Sequence, residues 1–482
     1  MPHLDPDPAR IREMGAAALD LMAGYYEQLR SRPISPRAGA AEIRALVEEP
    51  LPQDGCPFED VLRQLDERAF AMSRHNGHPR FFGYVASPGT AAAAFGDMLA
   101  STLNSNVTSW RSAPAGAEIE HVTIGWIKQI VNFDPAGIGL FVSGGSMANL
   151  SALAAARSAK AGVNVSAQGM QAVSRTLRLY VSQEAHFSIA KAAALLGIGS
   201  ANVVQVKTDA NLCMDVEDLA RCIDSDLAAG RQPFCIVANA GAVSTGAFDP
   251  LREVAAAAQP YNLWLHVDGA YGGFAALAPS ARARFEHMPL ADSLALDPHK
   301  WLYLPVDCGC VLYRDAAAAR AAFSISAEYI RVLNQAPDET FAFWDYGPEL
   351  SRRFRALNVW LLLKHVGTRA LGEAIERNIA CARYLERLVT ASNDFEMLAP
   401  AGLSTFCIRY RPAGVREDRL NTLNEAILQA LQRDGSSYLS NACIKGRFAL
   451  RGCVLNYRTT ERDMEILLAD IRRVARPLID SA

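Results

Sequence analysis

The chain has 482 residues, half of them hydrophobic and 21% charged, which excludes a disordered or collagen-like polymer. Lys and Arg number 48 against 51 Asp and Glu, a net charge of −3, so no electrostatic footprint for nucleic acid or an anionic membrane is expected. A small anionic ligand needs only a local site and stays open.

Length predicts about three structural units. The opening MPHLDPDPARIR lacks an apolar core, so a signal peptide is not expected. No apolar run approaches the ~18–20 residues that span a bilayer. The ten cysteines form no CxxC pair and no zinc-spaced cluster, so buried thiols in a reducing cytoplasm, and no metal, are expected.

Asp7-Pro8 is a helix start, and Ile11, Met14, Ala18, Leu21, Tyr25 and Leu29 follow at helical spacing up to the prolines of SRPISP. EIRALVEE and PFEDVLRQLDERAF read as two more helices. These three are too few and too amphipathic to stand alone, and residues 1–84 are expected to be a helical arm. From 85 to 365, strand-like runs (GIGLFVSGG, RLYVSQEAH, ANVVQVK, PFCIVANAG, LWLHVDGA) alternate with helical ones (ANLSALAAARSAK, FSIAKAAALLG). Alternation predicts an α/β unit with a mainly parallel sheet and helices on both faces, with ligands at the carboxyl ends of the strands. Residues 366–482 mix a long amphipathic helix, the strand runs STFCIRY and FALRGCVLN, and two further helices. They predict a small α+β domain.

The densest chemical signal is LWLHVDGAYGGF followed by DSLALDPHKWLYLPVDCG. Asp268 ends a strand beside the small residues Gly269 and Ala270, where a flat ligand can approach the backbone. Lys300 stands among apolar neighbours, and burial favours the neutral amine that condenses with an aldehyde. Alone, Asp268 reads equally well as a strand-end cap and Lys300 as a snorkelling surface lysine. Together, a carboxylate for a pyridinium nitrogen and an amine for an imine are what pyridoxal phosphate requires. The turn Ser143-Gly144-Gly145-Ser146 lies between a strand and a helix, where backbone N–H groups bind phosphate. His186, at a strand-to-helix junction, is placed to stack on one ring face with Ala270 on the other, although a lone histidine there is more often structural.

HVDGAYGG, DPHKW, SGGSMANL and QEAHFS together resemble the group II pyridoxal-phosphate-dependent amino-acid decarboxylases, by pattern the aromatic-L-amino-acid branch. The resemblance runs through RRFRALNVW into the C-terminal domain. It implies the aspartate-aminotransferase-like fold (pyridoxal-phosphate fold type I) with a seven-stranded sheet. It also implies a homodimer with the active site at the interface, the arm packing on the partner subunit. Lys300 is then expected to hold the cofactor, Asp268 to pair with its ring nitrogen, and His186 to stack on the ring and orient the substrate. Gly145, Ser146 and His299 are expected near the phosphate, and Arg352 to support the site beneath a mobile loop at 334–348. Tyr329 is expected to protonate the carbanion left when CO2 departs from the external aldimine to give a quinonoid.

Phe81, Phe82 and Tyr84, in HPRFFGY, match the segment lining the family's side-chain pocket, but core aromatics are an equal reading. Thr108 stands where aromatic-specific relatives carry a bulky aromatic, and Ala242-Val243 where relatives often have threonines. The expected reaction is decarboxylation of an aromatic L-amino acid to its amine. The alternatives are an acidic, sulfur-containing or diamino substrate, or aldehyde-forming decarboxylation-deamination. An aminotransferase or lyase on the same fold is disfavoured by the His299-Lys300 pair and the Tyr329 loop, and a non-enzymatic scaffold by Asp268, Lys300 and His186 occurring together.

Overall fold

The structure is a computed structural model that describes residues 4–325 and 337–480. Seven strands form the larger sheet: β1 (Ile138–Val142), β2 (Leu177–Ser182), β3 (Val203–Val206), β4 (Gln232–Asn239), β5 (Trp264–Asp268), β6 (Ser293–Leu296) and β7 (Gly309–Tyr313). Their order is β1-β7-β6-β5-β4-β2-β3. Pairings from β6 through β3 are parallel, whereas β7 runs antiparallel to both β1 and β6. Every residue of β5, β6 and β7 is buried, as a sheet covered on both faces demands. Because β7 alone is reversed, the carboxyl ends of β1, β4, β5 and β6 meet the start of β7 at one edge.

The short β6 and β7 were not legible as strands, since four or five apolar residues carry no periodicity. The expected helices are present at Pro8–Gln28, Ala40–Val47, Phe58–Leu65, Gly145–Lys160, Ser188–Leu195, Gly367–Thr390, Glu417–Asp434 and Glu461–Asp480. Asp7 caps the first, accepting from the Arg10 N–H at 2.8 Å. A smaller antiparallel sheet follows, β8 (Phe395–Gly402), β9 (Thr405–Tyr410), β10 (Ser440–Ile444) and β11 (Arg447–Cys453), in the order β10-β11-β9-β8. It has its own core around Leu385, Phe406, Ile427 and Leu467.

The segment before residue 85 divides in two. Helix Pro8–Gln28 has no buried residue, and Ile11 and Leu19 are exposed. Residues 77–82, by contrast, are built into the small sheet. The Phe82 N–H donates to the Tyr438 carbonyl at 2.8 Å, and the Cys453 N–H to the Phe82 carbonyl at 2.9 Å. The Thr459 hydroxyl reaches the Pro79 carbonyl at 2.6 Å, and Arg80 Nε the Ser436 carbonyl at 2.8 Å. Arg451, buried, joins three regions by donating to the carbonyls of Tyr84, Val243 and Ser244.

The cysteines are free. Six are buried, but Cys56 and Cys443 are exposed, so the expectation of buried thiols holds only in part. Among the described residues no helix is long and apolar enough to cross a membrane.

Two buried histidines give the fold a pH dependence. His78 and His266 are 0% exposed, and burial pushes both pKa values down to about 4. An unfolded chain takes up those protons near the ordinary histidine value of 6.5. The unfolded state therefore binds more protons between these limits. Stability is complete above 6.5 and is lost as the pH falls toward 4. Each imidazole costs about 2 kcal/mol at pH 5. Urea titrations at pH 7 and 5 should show the fall, and His78→Asn should remove its share. A stability that does not drop between those values overturns the prediction.

Candidate active site

At the shared strand edge lies a cavity of about 370 Å3 lined by Ser143–Met147, Asn149, His186, Asn239, Gly241, Val243, Asp268, Ala270, Tyr271, Asp297, His299 and Lys300. Lys300, Asp268, His186, Gly145, Ser146, His299 and Ala270, all named from the sequence, come together here.

Asp268 closes β5 and is 7% exposed. Its Oδ1 accepts from the Ala270 N–H at 3.0 Å and its Oδ2 from Asn149 Nδ2 at 2.9 Å. Lys300 sits on the single helical turn Pro298–Trp301 that follows β6. Its Nζ is 2.9 Å from Asp297 Oδ2. Burial lowers the lysine's pKa, but Asp297, and less so Asp268, outweigh it and the net direction is upward. Burial alone favours the expected neutral amine, but the carboxylate one turn before Lys300 pairs with it and pulls toward the charged form.

The glycine turn leads into helix Gly145–Lys160, which no side chain caps, so its first-turn N–H groups are available to an anion. A Cβ at Gly145 would stand 2.8 Å from both the Ala270 Cβ and Asp297 Oδ2, so only glycine leaves this cradle open. Asp297 Oδ1 is buried and takes no hydrogen bond from any described residue. His299 fixes the far wall, its Nδ1 2.8 Å from the Cys308 carbonyl. His186 is held at Nδ1 by the Ser188 hydroxyl at 2.8 Å. Its pKa is lowered, chiefly by burial, so the ring is neutral. Tyr271 stacks on Trp301 at 5.1 Å and bonds the Ser404 hydroxyl at 2.8 Å, joining the cavity floor to the small sheet.

Other sequence expectations fall outside the cavity. Phe82 is a core residue of the small domain, against Phe406. Phe81 stacks on Tyr438 at 5.0 Å, and Tyr84 is exposed with its hydroxyl 3.4 Å from that of Tyr438. All three are held away because the HPRFFGY segment pairs with the small sheet. Thr108 is buried, and its carbonyl accepts from the Phe343 N–H at 2.9 Å. Arg352 is not among the cavity's lining residues. It is 2% exposed, ion-paired with buried Glu120, donates to the carbonyls of Val107 and Phe141, and lies 4.2 Å over the Phe343 ring.

Of the loop expected at 334–348, residues 341–346 pack. Phe341 and Phe343 enclose His121, and Ala342 bridges to Ser109. Tyr329 lies outside the described residues. Asp297, Asn149, Asn239 and Tyr271 were given no role, although Asp297, Asn149 and Tyr271 stand inside the quoted motifs and Asn239 inside a quoted strand run. Val243 does line the cavity and presents no hydroxyl.

An amine for an aldehyde, a buried carboxylate for a ring nitrogen, an anion cradle and a flanking imidazole make this a pyridoxal phosphate site, and the open glycine cradle leaves room for the phosphate. Residues 41–411 match the Pyridoxal-dependent decarboxylase conserved domain, and the chain belongs to that family. It is 35% identical to an aromatic-L-amino-acid decarboxylase of Bacillus atrophaeus over 98% of this chain and 97% of the relative. It superposes on the crystal structure of Oryza sativa TDC with PLP and tryptamine at a TM-score of 0.91, with 28% identity, 99% of this chain and 100% of that one covered. For Rhodiola rosea 4-hydroxyphenylacetaldehyde synthase the TM-score is 0.88, with 28% identity over 98% and 99%. The protein is a pyridoxal-phosphate-dependent amino-acid decarboxylase.

Proposed function

We propose that the enzyme converts an aromatic L-amino acid to its amine and CO2. The observation that carries this is near end-to-end similarity to an aromatic-L-amino-acid decarboxylase, joined to a cavity that brings Lys300, Asp268, His186 and the glycine turn together. Pyridoxal phosphate supplies an electron sink for the pair left when the carboxylate departs.

The chain's own residues do the rest. Lys300 would provide the amine for the cofactor aldehyde, with Asp297 paired to it until then. Asp268 would accept a hydrogen bond from the protonated ring nitrogen. The first-turn N–H groups of Gly145 and Ser146 would bind the phosphate, with His299 near them, and His186 and Ala270 would hold the ring. Arg352 is a positioning residue that joins the 106–107 segment to β1 and Phe343. Of Phe81, Phe82, Tyr84 and Thr108, only Tyr84 is exposed and free to face a partner subunit's substrate; the other three are buried within this chain. The units 85–365 and 366–482 serve as cofactor domain and small domain, which the two separate sheets support; of the unit 1–84, the helices before residue 77 serve as the arm, and 77–82 join the small domain.

The exposed apolar residues of the arm, with Met98, Leu99 and Leu103 of helix Ala91–Leu103, support a homodimer. Sedimentation should give twice the chain mass; a monomer that turns over substrate at full rate overturns this. A reducing cytoplasmic location fits ten cysteines with no disulfide among the described residues.

Incubating the holoenzyme with a panel of amino acids, with amine, aldehyde and peroxide measured by mass spectrometry and a coupled assay, tests substrate and outcome together. Amine from aromatic substrates is the expected result. Aldehyde with peroxide, or turnover confined to acidic or diamino acids, overturns it. Tyr329 is the proposed proton donor to the α-carbon. In Tyr329→Phe, amine output should fall by about 10²-fold or more while aldehyde rises. Unchanged amine output would mean that another group delivers the proton.

A further inference from the structure

Behind the cavity, a line of buried polar side chains runs away from Asp268. Asn149 donates from Nδ2 to Asp268 Oδ2 at 2.9 Å and to Ser188 Oγ at 3.1 Å. Its Oδ1 is 2.8 Å from His266 Nε2. His266 Nδ1 is 2.9 Å from Ser293 Oγ, which also accepts from Trp264 Nε1 at 2.8 Å. On the other branch, Ser188 Oγ lies 2.8 Å from His186 Nδ1. Asn149, Ser188, His266 and Ser293 are all 3% exposed or less.

The direction of every hydrogen in this line follows from one charge. A carboxylate only accepts, so Asp268 turns the Asn149 amide nitrogen toward itself. Asn149 Oδ1 then faces His266, which must donate from Nε2. Burial keeps His266 neutral, so its Nδ1 is bare and takes the Ser293 hydroxyl hydrogen. The Ser293 oxygen in turn accepts from Trp264, which can only donate. On the near branch, the second Asn149 amide hydrogen occupies a lone pair of Ser188 Oγ. The Ser188 hydroxyl hydrogen is left for His186 Nδ1, which the Ser188 backbone N–H also approaches at 3.3 Å. His186, neutral and accepting at Nδ1, carries its own hydrogen on Nε2.

We propose that Asn149 and His266 are positioning residues that couple the carboxylate of Asp268 to the tautomer of His186, so that His186 offers an Nε2–H donor to the bound substrate or cofactor. The coupling deepens the proposed roles of Asp268 and His186 and rests on them only for its catalytic meaning. The tautomer itself is a property of the protein alone. An orientation of Asn149 with its oxygen toward Asp268 would set two acceptors against each other there and, with His266 protonated at Nε2, two donors against each other at His266, leaving buried polar groups without bonds.

Histidine-selective 15N NMR on the full chain tests this, with the His186 signals assigned by their loss in His186→Gln. Spectra are read first without and then with pyridoxal phosphate. The expected wild-type result in both states is a bare Nδ1 and a protonated Nε2. Ser188→Ala should move the Nδ1 signal toward that of a free imidazole nitrogen while leaving the pH titration of the bound cofactor's visible band unchanged. Asn149→Leu should give a mixture of tautomers and also move that titration by about one pH unit or more. His266→Gln, which still donates to Asn149, should keep the wild-type signals, and His266→Leu should not.

A wild-type His186 with its proton on Nδ1 overturns the proposal. So does an unmoved Nδ1 signal in Ser188→Ala, which decides the matter if Asn149→Leu does not fold. A correct tautomer without cofactor, combined with no visible band on adding it, would instead refute the cofactor-binding roles and leave the coupling standing.

Discussion

Lys300→Ala should abolish the covalently held cofactor: the variant mixed with pyridoxal phosphate shows no visible band that borohydride traps on the protein, and decarboxylation falls to background. Among the described residues Lys300 is the one lysine lining the cavity, so no other described amine takes its place. The substitution also leaves Asp297 Oδ2 without its partner beside an Oδ1 that already has none, so the variant should be less stable without cofactor. Peptide mass mapping after reduction locates the adduct in the wild type. An adduct on another lysine, or full turnover by Lys300→Ala, refutes the assignment.

Asp268→Ala should cut kcat by about 10²–10³-fold with Lys300 still able to bind the cofactor. A carboxylate at the ring nitrogen matters most when the ring receives the electron pair, so the loss falls on kcat more than on KM. The visible band should persist with a changed pH titration. The variant also strips Asn149 of one acceptor in a buried site, and some loss of stability accompanies the kinetic effect. A kcat within twofold of wild type would remove Asp268 from the chemistry.

Asp268 and Lys300 were legible because each sits in a short local pattern, a strand end or a proline-led turn, that announces its own geometry. The parallel strands of the large sheet were legible for the same reason. Other features depend on what lies across the fold. Asp297 was quoted in DPHKW without a role, because its meaning comes from lying between the lysine and the glycine cradle. Lys300 was read as neutral because burial is visible in apolar neighbours, whereas an ion pair is not. Phe81 and Phe82 carry the same residue types whether they line a pocket or a core. Their partner strand begins more than three hundred residues later, beyond any local pattern. β6 and β7 are too short to show a period.

Residues 77–82 have a further consequence, in time. Arg80 bonds the carbonyl of a residue 356 positions downstream, and Thr459 bonds the Pro79 carbonyl across 380 positions. At the usual pace of synthesis the segment waits on the order of tens of seconds before its partners exist. Throughout that wait the edge that will pair with Tyr438 is open, and Phe81 and Phe82 have no core to enter. The final docking is a late, long-range event of the kind that slows folding. A nascent chain of this enzyme therefore carries near its start an apolar segment whose partners are made last, and that segment is one for a chaperone to protect.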